Sequence, residues 1–372
     1  MNPAWRFVVA IGLVSLLADL TYEGGRSISG AFLGALGASG ALVGLVAGVG
    51  EFLGYLTRLA SGRLADRFRL HWPLLYLGYA VNLLSVPALA LAPSAAWASL
   101  LLFLERFGKG LRTPARDALL ARAGEKVGYG KAFGVHETMD QVGAVLGPLL
   151  VALGVALGGY RMGFALLLLP ALLALLVLSG AKGLEPKEER TSPSPGLASN
   201  LPLYLAYTAL FALGLVHFQL LAFHLGKAGA DPVHIPLFYA LAMGADALFA
   251  LLAGFLFDRW GLRLLLLAPL LALASPVLLL GDGPGLWWLG SLLWGGAVGL
   301  QESVMRAGVG RLGGTAFAYG LFDTTFGLSW LLGSVAMGLL YDRSPGQVMA
   351  FALLAEGLAL MALLGLLARL RR

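Results

Sequence analysis

Cysteine is absent from all 372 residues, and only 12% of them are charged. The first absence excludes a disulfide framework, a thiolate metal site and a cysteine nucleophile. The second sits badly with a water-exposed globule, in which about 25% of residues carry charge. In place of charge there are 59% hydrophobic residues, with a mean hydropathy of +0.83. A soluble chain of this size could not hide so much apolar surface, so the bilayer is its natural solvent. The net charge of +6 then reads as Lys and Arg held in cytoplasmic loops, not as a nucleic-acid footprint. About six residues precede the first apolar run, which outlasts a signal-peptide core and reads as a retained span.

A membrane-crossing helix needs roughly 20 mostly apolar residues. Cutting the chain at clusters of Gly, Pro and charge predicts twelve: 5–34, 40–62, 72–92, 95–120, 129–157, 160–181, 200–226, 233–257, 262–281, 285–310, 315–341 and 345–369. Basic residues favour alternate connections: Arg63, Arg67 and Arg69; Arg122, Lys126 and Lys131; Lys182, Lys187 and Arg190; Arg259 and Arg263; Arg311. Arg6 and the final arginines join the same side, so both termini are expected in the cytoplasm. Arg161, Lys227 and Arg343 are exceptions on the other side. The stretch 182–199 is rich in Glu, Lys, Ser and Pro and reads as a solvated linker between a bundle at 1–181 and a second at 200–372.

The two parts repeat. Gly62-Arg63-Leu64-Ala65-Asp66-Arg67 closes the second span, and Gly254-Phe255-Leu256-Phe257-Asp258-Arg259 closes the eighth. Arg106-Phe107-Gly108-Lys109-Gly110 is echoed by Arg306-Ala307-Gly308-Val309-Gly310, and Gly134-Val135-His136-Glu137-Thr138 by Gly320-Leu321-Phe322-Asp323-Thr324. A weaker copy, Gly338-Leu339-Leu340-Tyr341-Asp342-Arg343, closes the eleventh span on the outer side, where an inverted sub-repeat would put it.

Two sets of six spans, a charged central linker and Gly-x-x-x-Asp-Arg after spans two and eight resemble the major facilitator superfamily over essentially the whole chain. The family's loop pattern is Gly-x-Leu-Ala-Asp-Arg-x-Gly-Arg-Arg/Lys. The first copy keeps it from Gly62 to Arg67, then departs, with Arg69 where the glycine belongs, followed by Leu70 and His71. The second keeps Leu256, Gly261 and Arg263 and departs at Phe257 and Leu262. Arg106 to Gly110 is similar to the family's Arg-x-x-Gln-Gly, with Lys109 for Gln. Gly143, Gly147 and Pro148 match the start of the Gly-x-x-x-Gly-Pro-x-x-Gly-Gly pattern of family antiporters, whose final glycines are Val151 and Ala152 here. The resemblance implies an all-α membrane protein of two pseudo-symmetric six-helix bundles. It also implies a secondary transporter that acts as a monomer by alternating access, and a cavity lined by spans one, four, seven and ten. Asp19, Glu23, Arg26, Arg106, Lys109, Gln219 and Arg306 would then face the cargo. Gly62, Asp66, Arg67, Gly254, Asp258 and Arg259 would form cytoplasmic gates, the glycines permitting close helix approach.

Ionisable residues inside spans are expensive and point to function or to mutual pairing. Asp19 and Glu23 lie i, i+4 on one face, and two facing acids repel unless one is protonated or a cation lies between them. They are the expected proton-coupling pair. Glu105 with Lys109, and Glu302 with Arg306, are spaced to pair along their own helices. His136 and Asp140 share a face and read equally as a proton relay or as a structural hydrogen bond; Glu137 and Asp323 are matched positions of the repeat. His217 and His224, two turns apart, offer with Asp19 and Glu23 a loose divalent-metal path, without a His-Glu-x-x-His or cysteine pattern to support it.

No Gly-x-x-x-x-Gly-Lys-Ser/Thr loop is present, so energy is expected from an ion gradient. No concentration of oxygen ligands beside a broken helix is visible, which favours protons over Na⁺. The expected function is proton-coupled export of a small organic compound across a prokaryotic inner membrane, without a cofactor. Alternative cargoes are a divalent cation or an anionic metabolite bound by the basic residues of spans four and ten. An intramembrane enzyme or a receptor is a further alternative, but matched motifs in both halves fit two-fold rocking better than a single catalytic cluster.

Overall fold

The computed structural model describes residues 3–127, 129–185, 200–281, 283–305, 308–309, 312 and 316–370. Among these residues there is no strand. In a bilayer core, backbone groups must find their partners within the segment, and a helix does that locally. The helices are α1 Pro3–Ala35, α2 Gly40–Phe68, α3 His71–Ala88, α4 Ala95–Val127, α5 Tyr129–Leu166, α6 Leu168–Ala181, α7 Leu201–Gly214, α8 Phe218–Lys227, α9 His234–Trp260, α10 Leu267–Leu279, α11 Trp287–Leu300, α12 Ala316–Tyr341 and α13 Pro345–Arg369.

Among the described residues, nine helical stretches are long and apolar enough to cross a membrane. Twelve expected passes are consistent with that number. The stretch Val135–Leu184 covers two of them, because the helix breaks at Gly158 and Gly159, the latter at φ 73°. α4 is not among them because it is dense with charge, and α11 because it is only 14 residues long. The expected seventh span is two helices separated by an extended segment, Leu215–His217. The tenth ends in a π-helical turn over Gln301–Met305.

The chain packs as two compact units. One comprises Met1–Gly37, Leu53–Thr191 and Asp231–Ala240; the other comprises Ala38–Phe52, Ser192–Ala230 and Leu241–Arg372. In the first, α1 is central and packs on α5, α6 and α4, while α3 packs on α4. α1 and α5 run parallel through glycines. A Cβ on Gly143 would lie 2.2 Å from Leu16 O, and one on Gly147 2.3 Å from Leu20 O. Small residues of this kind let membrane helices approach backbone to backbone. In the second unit α7 packs on α12 and α13, and α10 on α11 and α13. The start of α2 belongs here: a Cβ on Gly44 would lie 2.3 Å from Ser334 O.

The linker begins in order. Lys182–Leu184 forms a 3-10 turn, and Glu185 accepts from Trp72 Nε1 at 2.6 Å and Arg122 Nη1 at 3.1 Å. Residues 186–199 lie outside the described residues.

Candidate functional site: a buried charge cluster on α1, α4 and α5

The first unit concentrates its ionisable residues where α1, α4 and α5 meet. The glycine-lined contact of α1 with α5 sets the register: Ser15 faces His136, and Asp19 faces Gly143. α4 adds a basic face, with Arg106, Lys109, Arg112 and Arg116 spaced by three or four residues so that they fall on one side.

Asp19 and Glu23 are each 6% exposed, but their surroundings differ. Glu23 is fully engaged. Arg26 Nη1 lies 3.3 Å and Lys109 Nζ 4.0 Å from its Oε1, and the Tyr239 hydroxyl donates to its Oε2 at 2.5 Å. Asp19 Oδ1 is buried without a hydrogen-bond partner. The two acids therefore share a face without sharing a role: one is neutralised by two cations, and the other holds an open acceptor.

Lys109 also sits 3.9 Å from the centre of the Tyr22 ring, so its ammonium bridges α1 by charge and by cation–π attraction. It does not pair with Glu105. Glu105 instead meets Arg106 Nε at 3.2 Å and accepts from Asn82 Nδ2 at 3.0 Å, so the expected i, i+4 pair is replaced by a contact to α3. Arg112 is 0% exposed, and none of its three guanidinium nitrogens has a hydrogen-bond acceptor. It rests on the rings of Tyr79, at 4.3 Å, and Tyr22, at 5.6 Å.

A polar chain runs across the same region. His136 Nε2 lies 2.7 Å from Ser15 Oγ, which lies 3.5 Å from the Tyr79 hydroxyl. On its other side His136 Nδ1 is 3.4 Å from Asp140 Oδ2, and Arg116 Nη1 is 3.8 Å from the same oxygen. Arg116 binds Asp117 at 2.9 Å, and Asp140 Oδ1 is left without a partner. His136, Glu137 and Asp140 are the described residues whose ligand atoms come within 4.8 Å of one another, but the guanidinium beside Asp140 disfavours a second cation there. Glu137 itself is exposed.

Other predicted residues lie elsewhere. Gln219 is half-buried at the start of α8, and Asp323 half-buried near the start of α12. Glu302 is exposed, not a buried charge as its place in an apolar span suggested. The π-turn over Gln301–Met305 breaks the i, i+4 register expected there, and its expected partner Arg306 lies outside the described residues. His217 caps α8, its Nδ1 accepting from Leu220 N at 3.2 Å, and His224 Nδ1 pairs with the Tyr341 hydroxyl at 2.8 Å. Each commits Nδ1 to a hydrogen bond of the second unit, and His217 Nε2 is buried without a hydrogen-bond partner. Pro148 is buried within α5, beside the Gly143 and Gly147 crossing.

Of the gating motifs, the side chains of Asp66 and Asp258 and the surroundings of Gly254 lie outside what is described, while Arg67 and Arg259 are exposed. Gly62 is not at a close approach: a Cβ there would meet Pro114 Cβ at 3.5 Å, an ordinary contact. α2 meets α4 more closely at Gly110, whose Cβ would lie 2.7 Å from Gly54 O. The third copy of the motif shows what its acid can do. Asp342 caps α2, accepting from Gly40 N at 2.6 Å and Ala41 N at 2.9 Å. A carboxylate there meets orphan amides and the positive end of the helix dipole.

Sequence reasoning missed Tyr239, which no local pattern links to Glu23. It counted Arg112 among the charges of span four without giving it a role and passed over Arg116, although both extend the Lys109 face of α4, a signal present in the spacing.

The fold has close relatives in shape. The nucleoside transporter NupG superposes with a TM-score of 0.74 at 13% identity, covering 98% of this chain and 99% of that one. The peptide transporter POT, in complex with sulfate, gives 0.75 at 17% identity, covering 98% and 94%. In sequence, an uncharacterised protein of Mycobacterium tuberculosis is 40% identical over 376 residues, 96% of this chain and 92% of the relative. The family model of the Major Facilitator Superfamily matches residues 11–311. With that match, the helical architecture and the paired loop motifs, the chain belongs to the Major Facilitator Superfamily, an integral membrane transporter and not an enzyme.

Proposed function

We propose that this protein exports a small organic solute in exchange for protons, working as a monomer in the inner membrane of a prokaryotic cell. Bundles 1–181 and 200–372 would rock about a central cargo site, with the Gly62 and Gly254 motifs gating the cytoplasmic side. The observation that carries the coupling assignment is the contrast within the acid pair. Glu23 is compensated by Arg26, Lys109 and Tyr239, whereas Asp19 Oδ1 is buried and unpartnered. A buried carboxylate with an unsatisfied oxygen is costly while ionised, so a proton that comes and goes there is tied to a change in its surroundings. The Gly143-x-x-x-Gly147-Pro148 segment supports the antiport direction by resemblance.

One observation favours a second reading of the cargo. The guanidinium of Arg112, buried without an acceptor beside Lys109, suits a solute bearing a carboxylate or phosphate. The sulfate-bound peptide transporter and the nucleoside transporter share the fold alone, so their cargoes do not choose between these readings. A divalent-cation cargo has less support, because His217 and His224 each commit Nδ1 to a hydrogen bond, which leaves His217 Nε2 as an open buried nitrogen.

A thermal-shift screen of neutral, cationic and anionic solutes at two pH values identifies the cargo class. Proteoliposomes with an imposed pH gradient then test coupling. Asp19→Asn is expected to uncouple solute flux from the gradient; if Asp19→Asn and Glu23→Gln both leave gradient-driven flux unchanged, the coupling assignment is wrong.

A further inference from the structure

The second unit contains a broken helix with an acid set against it. α7 ends at Gly214 and α8 starts at Phe218; between them Leu215 (ψ 111°) and His217 (ψ 144°) are extended. The α7 ladder closes with Leu215 N–H donating to Phe211 O at 2.9 Å. Carbonyls of a helix's final turn have no intrahelical amide to accept from, and they carry the negative end of the helix dipole. Trp294 Nε1 donates to one carbonyl of the extended segment, Val216 O, at 2.7 Å.

Glu356 lies in the middle of α13 against this end. It is 0% exposed, and neither carboxylate oxygen has a hydrogen-bond partner. A Cβ built on Gly214 would lie 2.9 Å from its Oε1, so the missing side chain of Gly214 is what admits the carboxylate. The described surroundings supply no counter-charge. The buried neighbours on α13 are Ala352, Ala355 and Ala359. α10 has no ionisable side chain. α7 brings Tyr204 and Tyr207, whose hydroxyls donate to Met305 O at 2.6 Å and Leu265 O at 3.2 Å. α12 brings Asp323 near its start and Tyr341 at its end, the latter bonded to His224. The 3-10 turn Gly261–Leu266 brings Arg263, which is exposed. His217, in the break, caps α8 through Nδ1 and keeps Nε2 buried without a hydrogen-bond partner.

An ionised carboxylate facing the negative end of a helix, away from water and from any cation, is strongly unfavourable. A positive ion between the two relieves both. We infer that Glu356 and the carbonyl end of α7 form a monovalent-cation site that takes H⁺ or Na⁺. Discontinuous helices with freed carbonyls hold such ions elsewhere in membrane proteins. The site shares no residue with the Asp19 cluster and does not rest on the coupling assignment.

Infrared difference spectroscopy on the purified full-length protein tests this. Sodium chloride is exchanged for choline chloride at fixed pH, and pH is changed in sodium-free buffer. Wild type is expected to show a carboxyl signal in at least one exchange. A response to sodium identifies Na⁺ as the occupant, and a response to pH alone identifies H⁺. The component of the signal that is lost in Glu356→Gln should weaken in Gly214→Ala, which keeps the acid but fills its space, and persist in Asp19→Asn. Identical spectra from wild type and Glu356→Gln in both exchanges overturn the proposal. If Glu356→Gln does not fold, Gly214→Ala decides: an undiminished response overturns the site.

Discussion

Glu23 accepts a 2.5 Å hydrogen bond from the hydroxyl of Tyr239, a residue 216 positions further along the chain. Tyr239 lies in the first turns of α9, which pack with the first unit. The bond is charge-assisted and buried, so it belongs to the stronger class. Tyr239→Phe removes the donor and little volume. It should lower thermal stability in detergent by roughly 1–3 kcal/mol. An unchanged unfolding midpoint would show that the bond contributes nothing.

Arg112 should behave in the opposite way. A buried guanidinium with no acceptor is a desolvation cost that its two aromatic neighbours and the nearby charge of Asp19 only partly offset. Arg112→Met is expected to stabilise the protein, by roughly 1–4 kcal/mol if it follows other buried charges replaced by apolar residues. Transport should fall at the same time if the charge serves the cargo. A variant both less stable and fully active would contradict this reading.

The α1–α5 crossing gives a graded series. Gly143→Ala and Gly147→Ala each press a methyl against a backbone carbonyl, which cannot give way as a flexible side chain can. Each should cost roughly 1–3 kcal/mol. Gly62→Ala meets only an ordinary contact with Pro114 and should leave the melting temperature almost unchanged.

Asp342 caps the first turn of α2 through two amide donors. Asp342→Ala should weaken that turn by about 0.5–2 kcal/mol, the range for lost helix caps. Because the chain has no cysteine, a single Ser39→Cys reporter can be labelled without background. Faster labelling of Cys at that position in the Asp342→Ala protein is expected; equal rates would argue against the cap as a restraint.

Arg69 occupies a left-handed conformation, φ 54°, at the position where the loop pattern has glycine. Leu70 N–H closes the turn onto Ala65 O at 3.1 Å, in the manner of a left-handed helix cap. In the second copy the corresponding residue is Gly261, at φ 57°. The glycine of the pattern thus answers a backbone requirement that Arg69 meets under strain. Arg69→Gly should raise stability by about 1 kcal/mol, read from the midpoint of thermal unfolding.

Much of the fold was legible because crossing a bilayer is a local requirement. Runs such as 40–62 and 345–369 are apolar for long enough, and their helices follow within a few residues. The break in the seventh span was not legible. Leu215-Val216-His217 contains no Gly or Pro, and its extended backbone is held by Trp294 from another helix. At the site, the sequence placed Asp19 and Glu23 on one face correctly. It could not separate them, because the close ion pair from Lys109 and the hydrogen bond from Tyr239 both go to Glu23. Glu302 was misjudged for a related reason: a π-turn changes which way a residue faces, and i, i+4 spacing assumes a regular helix.

The sequence by itself determined the solvent, the spans, the internal repeat and the loop motifs. Each is a property of composition or of spacing within a few turns, where helix geometry is fixed at 3.6 residues per turn. Only the tertiary structure decided which charges neutralise one another and which stand alone. Glu23 with Tyr239, Asp342 with the start of α2, and Glu356 against Gly214 join residues far apart in the chain. The energy of such pairs changes steeply over an ångström or two in a low-dielectric interior, and that separation is set by packing rather than by order along the chain.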